Sequence, residues 1–470
     1  MTSKYTCPPS KALKPGQLPL TVRSTGPLFI VSSGPGKDDP ATRRLIRSHA
    51  MRGKNRKRLP LVQDSAATKW ASTITSLSQR NPFRTSIPPN IGSDFSFTPL
   101  ATPSEQREAI KAVKNIDVVA RDRHALEACL IFDGPKSRWI DFISQDSSFL
   151  QAVILMVQSH ASLARGSYHT SRTDQTQLAQ TLQLLRRKIT SEKSEVMHSE
   201  TTLFSMVVLA AHALIASEHV SARLHLEAIR KVVEINGGLS GVRQTKLRLE
   251  ICRADLIMAL HTGNRPVFFR GQDGYLAYPK ELPPATIPDD FRISNQDLTT
   301  LCAVIVSFCS TINLSIEAHG RIPWVLVYNT MTSVMYRLVD MQFPTESLDE
   351  ALRLGLLAFC ARIFLQGQTG TLAHADLSRR HMLSLQYLAS SPDIPWRLHI
   401  WLLVIICLAN IEHQDNARAI CETRLKLQEC KIDSWVEMRE VMRLVLWIPV
   451  VYDQRARRLS DQVLQQGQCY

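Results

Sequence analysis

The chain has 470 residues, an ordinary 44% apolar content and few aromatics or glycines, a balance that allows a sizeable core and argues against an all-β fold. Its formal net charge of +14 is unevenly placed: residues 1–60 carry 13 Lys or Arg against only Asp38 and Asp39, whereas the remaining residues carry 43 against 40 acidic ones. A basic arm on a near-neutral body points to an anionic partner, whether nucleic acid, an acidic protein or a membrane surface.

Residues 1–38 are rich in Pro, Gly and Ser and read as a largely disordered leader with one apolar run, Leu28 to Val31. Met1–Leu20 has no apolar h-region, and Pro8, Pro9, Pro15 and Pro19 oppose the amphipathic helix of a presequence. Gly34-Pro35-Gly36 lacks the Lys-Ser/Thr ending of a phosphate loop. Residues 39–58 follow as a basic segment. Asp39 suits an N-cap and Pro40 the first helical position, and Gly53 would stop a helix after Arg52. On that helix Arg43, Arg44, Arg47 and Lys54 fall in one sector, and the basic run continues through Arg56, Lys57 and Arg58. These residues, with Arg52, suit a nuclear import signal, contacts to nucleic-acid phosphates, or both; a solvated linker without a specific partner is the bland alternative. Residues 59–103 are polar, with scattered prolines, and read as a linker.

From Ser104 to the end the pattern is helical, giving the expectation of an all-α fold, an irregular multi-helix bundle or helical array over 104–470. A first helix starts at Ser104. Others are expected near 147–165, 175–190, 199–217, 220–236 and 243–260, and after a long loop at 262–295, near 296–317, 323–341, 348–366, 375–389, 396–412, 416–430 and 433–448. The 220–236 helix is the clearest. Ala222, Leu226, Ile229 and Val233 make its apolar stripe, and Glu227 precedes Lys231 in the favoured ion-pair order. Trp435, Met438, Met442 and Val445 make the apolar face of the final expected helix. Leu298–Ile316 is the longest uncharged stretch, but its Ser, Thr and Asn content favours a buried core helix over a membrane span, so no membrane partner is expected.

No catalytic or metal-binding signature stands out. The ten cysteines are scattered without any C-x-x-C pair, which fits free thiols in a reducing compartment; no cofactor is expected. His212, His219 and His225 lack ligand spacing, and His225 reads as a packed core histidine. G-x-S-x-G and glycine-rich dinucleotide patterns are missing, and Asp255, Asp273, Asp289 and Asp290 form no evident acid–base pair. Asp255 and Arg265 are expected to meet as an ion pair bracketing the turn after the 243–260 helix and pinning the long loop.

The segment from His225 to Gly237-Gly238-Leu239, followed by a helix bearing Asp255 and then Gly263-x-Arg265-Pro266-x-Phe268, resembles the fungal-specific transcription factor domain. The blocks Phe29–Lys37, Asp39–Arg43 and Ile46–Arg56 look like the leader of uncharacterised fungal members. The resemblance covers most of the chain from residue 104, with this leader, and implies an all-α regulatory domain and a nuclear role in transcription. Its expected partners are an import receptor, other proteins or a second copy, and DNA through the basic arm. One departure matters. The family's N-terminal binuclear zinc cluster needs six cysteines, and here Cys7 stands alone before Cys129. The resemblance therefore carries no sequence-reading module, and phosphate contacts by the arm position a protein without specifying sequence.

Overall fold

The computed structural model describes residues 126, 129–131, 146–164, 172–190, 199–269, 277–365, 374–391, 393–409 and 416–465. All fall in one compact unit, 87–470. The expectations for the leader, the basic segment, the linker and the helix from Ser104 lie outside the described residues.

Thirteen helices account for most of what is described. They are α1 (Ser147–Ala164), α2 (Arg172–Thr190), α3 (Glu200–Ile215), α4 (His219–Ile235), α5 (Thr245–Thr262), α6 (Gln296–Glu317), α7 (Trp324–Asp340), α8 (Leu348–Phe364), α9 (Ala375–Ser390), α10 (Trp396–Ala409), α11 (Asn416–Glu429), α12 (Trp435–Val445) and α13 (Pro449–Gln465). The fold is all-α, an irregular bundle. Two two-residue strands, β1 (Leu130–Ile131) and β2 (Ile322–Pro323), pair in parallel with Leu130 opposite Ile322. Elements this short carry no alternation, so hydrophobic periodicity does not reveal them.

Twelve of the helices lie where the sequence pattern places them. The exception is α13, which lies beyond the last expected helix. Its signal is present in the sequence: Pro449 occupies the first helical position, and Val451, Tyr452, Ala456, Leu459 and Val463 are buried at helical spacing. Helix starts are set by local chemistry. Asn295 accepts from the Leu298 amide at 2.9 Å and Ser347 from the Glu350 amide at 3.2 Å, while Ser434 and Glu437 form a reciprocal capping box at the start of α12.

The core runs continuously through the bundle. In the N-terminal half α3 packs against α1 and α4, and α5 packs against α3, α4, α7 and α9. In the C-terminal half α10 packs against α8, α11, α12 and α13. Every residue of α10 from Leu398 to Leu408 is buried, which explains why that segment is apolar all round rather than striped. Trp401 fills its centre and donates its indole N–H to the Leu446 carbonyl at 2.7 Å, and Tyr452 of α13 donates its hydroxyl to the Phe359 carbonyl at 2.5 Å. Burial of polar ends with a partner avoids the desolvation loss of an unpaired group.

Helix α6 is, among the described residues, the one helix long and apolar enough to cross a membrane by length and composition. It buries Leu298, Leu301, Cys302, Ile305, Phe308, Cys309 and Ile312 against its neighbours, while Ser307 and Asn313 bind the carbonyls of Pro283 and Trp447. None of the eight described cysteines forms a disulfide. Burial pushes the thiols of Cys302, Cys309 and Cys360 far up, so they act as small apolar groups.

On α4 the expected stripe of Ala222, Leu226, Ile229 and Val233 is buried. The ion pairs on its outer face differ from the expectation. Glu227 pairs with Arg223 at 2.9 Å, and Arg230 with Glu234 at 2.6 Å, in place of a Glu227–Lys231 pair. Both seen pairs are part-exposed, where such contacts contribute about 0.3–0.5 kcal/mol each.

Candidate functional site

The two halves of the Gly-Gly-Leu and Gly-x-Arg-Pro-x-Phe pattern are separated in sequence by α5, and the fold returns them to one place. Helix α4 ends in a Schellman turn. The Gly238 amide donates to the Val233 carbonyl at 2.9 Å and the Gly237 amide to the Glu234 carbonyl at 3.1 Å. Gly238 sits at φ 86°, ψ −172°, a region closed to side chains. The next turn places Gly241 so close to the Asn236 carbonyl oxygen that a Cβ would lie 1.8 Å from it. This turn drives Leu239 into the core, where it is buried.

Helix α5 stops at Gly263, which adopts the left-handed conformation at φ 71° and donates to the Ala259 carbonyl at 2.8 Å. A strap, residues 263–269, then turns back along α5. Its anchor is Asp255, only 1% exposed. The Val267 amide donates to Asp255 Oδ1 at 2.8 Å, the Phe268 amide to Oδ2 at 2.9 Å, and the Tyr336 hydroxyl of α7 to Oδ2 at 3.0 Å. Phe269 stacks on the Tyr336 ring at 5.6 Å between centroids, and Phe268 and Pro266 are buried.

The expected Asp255–Arg265 ion pair is not formed. Arg265 points to Asp340 at the end of α7, Nε to Oδ1 at 2.9 Å, with its side chain 74% exposed. The correction has a physical reason. Two strap amides and a tyrosine hydroxyl reach the buried carboxylate at close range, whereas a guanidinium there would itself have to be desolvated. Burial pushes the Asp255 carboxyl up to about 6, against the opposing pull of its hydrogen bonds and of Arg223. The carboxyl is therefore mostly ionised at neutral pH. Because its folded value lies above its unfolded one, its contribution to stability declines as pH rises from about 4 to about 6.

Between the α4 turn and the strap lies an open groove of about 380 Å³. Val233, Leu239, Val267 and Phe268 supply its apolar wall, Gly238 its open edge, and the Arg230–Glu234 pair its polar rim. Of the motif residues, Gly238, Leu239 and Phe268 line the groove. Asp255 holds the strap, and Gly237, Gly263, Arg265 and Pro266 shape the chain on either side. Tyr336, Asp340, Arg230 and Val267 belong to the same structure and carry no motif in the sequence. Tyr336 lies 81 residues from Asp255, and no local pattern marks such a partner. Arg43, Arg44, Arg47, Arg52, Lys54, Arg56, Lys57 and Arg58 lie outside the described residues.

The groove presents apolar surface and one ion pair, with no nucleophile beside a base on its wall. Its lining suits an apolar group. Among the described residues no three His, Cys, Asp or Glu side chains converge as metal ligands. His225 is buried, as expected for a packed histidine, and desolvation holds its ring down at about 4. The chain matches no family model, no curated protein and no solved structure.

Proposed function

We propose that this chain is a transcription-regulator-like nuclear protein, in which a helical regulatory and interaction body is targeted or tethered by a basic arm and works without a zinc cluster of its own. The observation that carries the reading is the convergence of Gly238, Leu239 and Phe268 on one groove, held in shape by Asp255. The pattern that resembles the fungal-specific transcription factor domain thus coincides with a surface suited to an apolar group, either a small molecule or a side chain of a partner protein. The second support is the charge asymmetry, 13 basic against two acidic residues in the first 60. Such a segment suits the acidic groove of an import receptor.

Deleting residues 43–58 from the tagged full chain is expected to abolish nuclear accumulation, read by fluorescence microscopy. Unchanged localisation would remove the import reading. Direct tethering to DNA is the second reading, favoured by the same charge clusters. Replacing Arg43, Arg44, Arg47, Arg52, Lys54, Arg56, Lys57 and Arg58 by Gln should then weaken binding to duplexes of any sequence. The slope of log K against log salt should become shallower by about 0.9 for each phosphate that the arm no longer neutralises. Equal binding by both proteins in a gel-shift titration would exclude the arm as the DNA-binding element.

A further inference from the structure

Four histidines lie on α5 and on the two helices α4 and α9 that pack against it. His219, the first residue of α4, stacks on His261 in the last turn of α5, with ring centroids 3.7 Å apart. His374 is the N-cap of α9, which packs against α5, and His381 follows two turns later on α9. His374 and His381 are 7% and 0% exposed. Both ring nitrogens of His374, Nδ1 of His381 and Nδ1 of His219 are buried with no hydrogen-bond partner. The His381 Nε2–H donates to the Leu354 carbonyl of α8 at 3.2 Å, so its unpartnered Nδ1 is the site where a second proton would add.

The buried rings of His374 and His381 tolerate the neutral form and little else. A proton added at His381 Nδ1 would be a buried N–H without an acceptor, near Arg353. A proton added at His374 would place a cation at the positive end of the α9 dipole. Burial, with the His261 ring stacked on it, holds the His219 ring below its ordinary value. The surrounding carboxylates are already engaged. On α9 Asp376 binds Arg379 and Arg380, and on α8 Glu350 binds Arg353 and Arg380, so three arginines share two carboxylates. Glu218 precedes His219 and binds the Ser221 hydroxyl, and α10, beyond the far end of α9, adds Arg397 and His399. Asp376 also packs over Gly263, where an added Cβ would meet its carboxyl at 2.7 Å, so the start of α9 braces the start of the strap.

We propose that His374 and His381 are a proton-operated latch: neutral, they seat the first turns of α9 on the end of α5, and on acidification they release them, while Asp255 keeps its hold on the strap. The direction follows from linkage. Burial depresses His374 and His381 to about 4, below the unfolded value near 6.5, so the seating they support is full above about 6.5 and is lost as pH falls toward about 4. The inference concerns the body alone and does not depend on a nuclear role.

The test is hydrogen exchange on the full chain at about pH 7 and about pH 5.5, corrected for the intrinsic pH dependence of amide exchange. Peptides covering 375–385 should exchange about tenfold faster at the lower pH, while those of α6 and α10 keep their protection. His374→Leu, which cannot charge, should reduce the acid response of 375–385 to less than about half of it. If that variant loses its helical circular dichroism at neutral pH, His381→Gln, which cannot charge and keeps a donor for the Leu354 carbonyl, takes its place with the same expected reduction. Equal loss of protection in all helices, an unchanged 375–385 segment, or a full acid response in the folded variant would each overturn the latch.

Discussion

Asp255→Ala is expected to destabilise the body by about 3 kcal/mol, read by urea denaturation at neutral pH. The substitution removes the acceptor for three buried or part-buried donors at once: the amides of Val267 and Phe268 and the hydroxyl of Tyr336. An unsatisfied buried donor costs about 1–3 kcal/mol, and relief of the desolvated carboxylate returns part of the sum. Asp255→Asn keeps one acceptor oxygen but turns an NH₂ group toward a donor, so it should fall between Asp255→Ala and wild type. Tyr336→Phe removes one donor and leaves the carboxylate bound to the strap, so it should cost the least, about 1 kcal/mol. The same order should appear in the rate of proteolysis within 263–269. A loss under about 1 kcal/mol for Asp255→Ala would mean that the strap is held by Phe268 and Pro266 packing alone.

The second large effect lies at the joint between α7 and α8. Arg353 and Glu350 are both almost fully buried and form a bidentate pair, Nε to Oε2 at 2.7 Å and Nη2 to Oε1 at 2.6 Å. Arg353 Nη1 also donates to the Leu338 carbonyl at 2.7 Å, tying α8 to the end of α7. Arg353→Met leaves Glu350 buried with Arg380 at 3.8 Å as its remaining cation and should cost about 3–5 kcal/mol. The double change Glu350→Leu with Arg353→Met removes both charges and strands only the Leu338 carbonyl. It should cost about 1–2 kcal/mol, less than the single change. A double-mutant cycle by urea denaturation reads this directly; a double variant less stable than Arg353→Met would show that Glu350 is stabilising in the core even without Arg353.

Helix positions are legible in the sequence where one face repeats at 3.6 residues, as with Ala222, Leu226, Ile229 and Val233 on α4. Helix α10 is legible for a different reason, as an apolar run bounded by Pro395 and too short to span a bilayer. Helix α13 carries a signal of the first kind, since its apolar residues keep helical spacing behind Pro449, but polar residues between them dilute it. The ion pairs are less legible. Arg223, Glu227, Lys231, Arg230 and Glu234 offer several pairings at helical spacing, and small differences in rotamer and exposure select among them.

The site divides along the same line. The amino-acid order by itself determined that α4 ends at Gly237-Gly238, that α5 ends at Gly263, and that Asp255 lies on the helix between them, because backbone handedness and helix periodicity are local properties. It also determined the charge asymmetry between arm and body. The tertiary structure alone decided what Asp255 binds, that Arg265 reaches Asp340, that Leu239 and Phe268 share a groove, and that His219 stacks on His261 while His374 and His381 are buried. Each of these depends on which helices pack together across tens of residues. Burial then changes the chemistry of a side chain far more than its neighbours in sequence do.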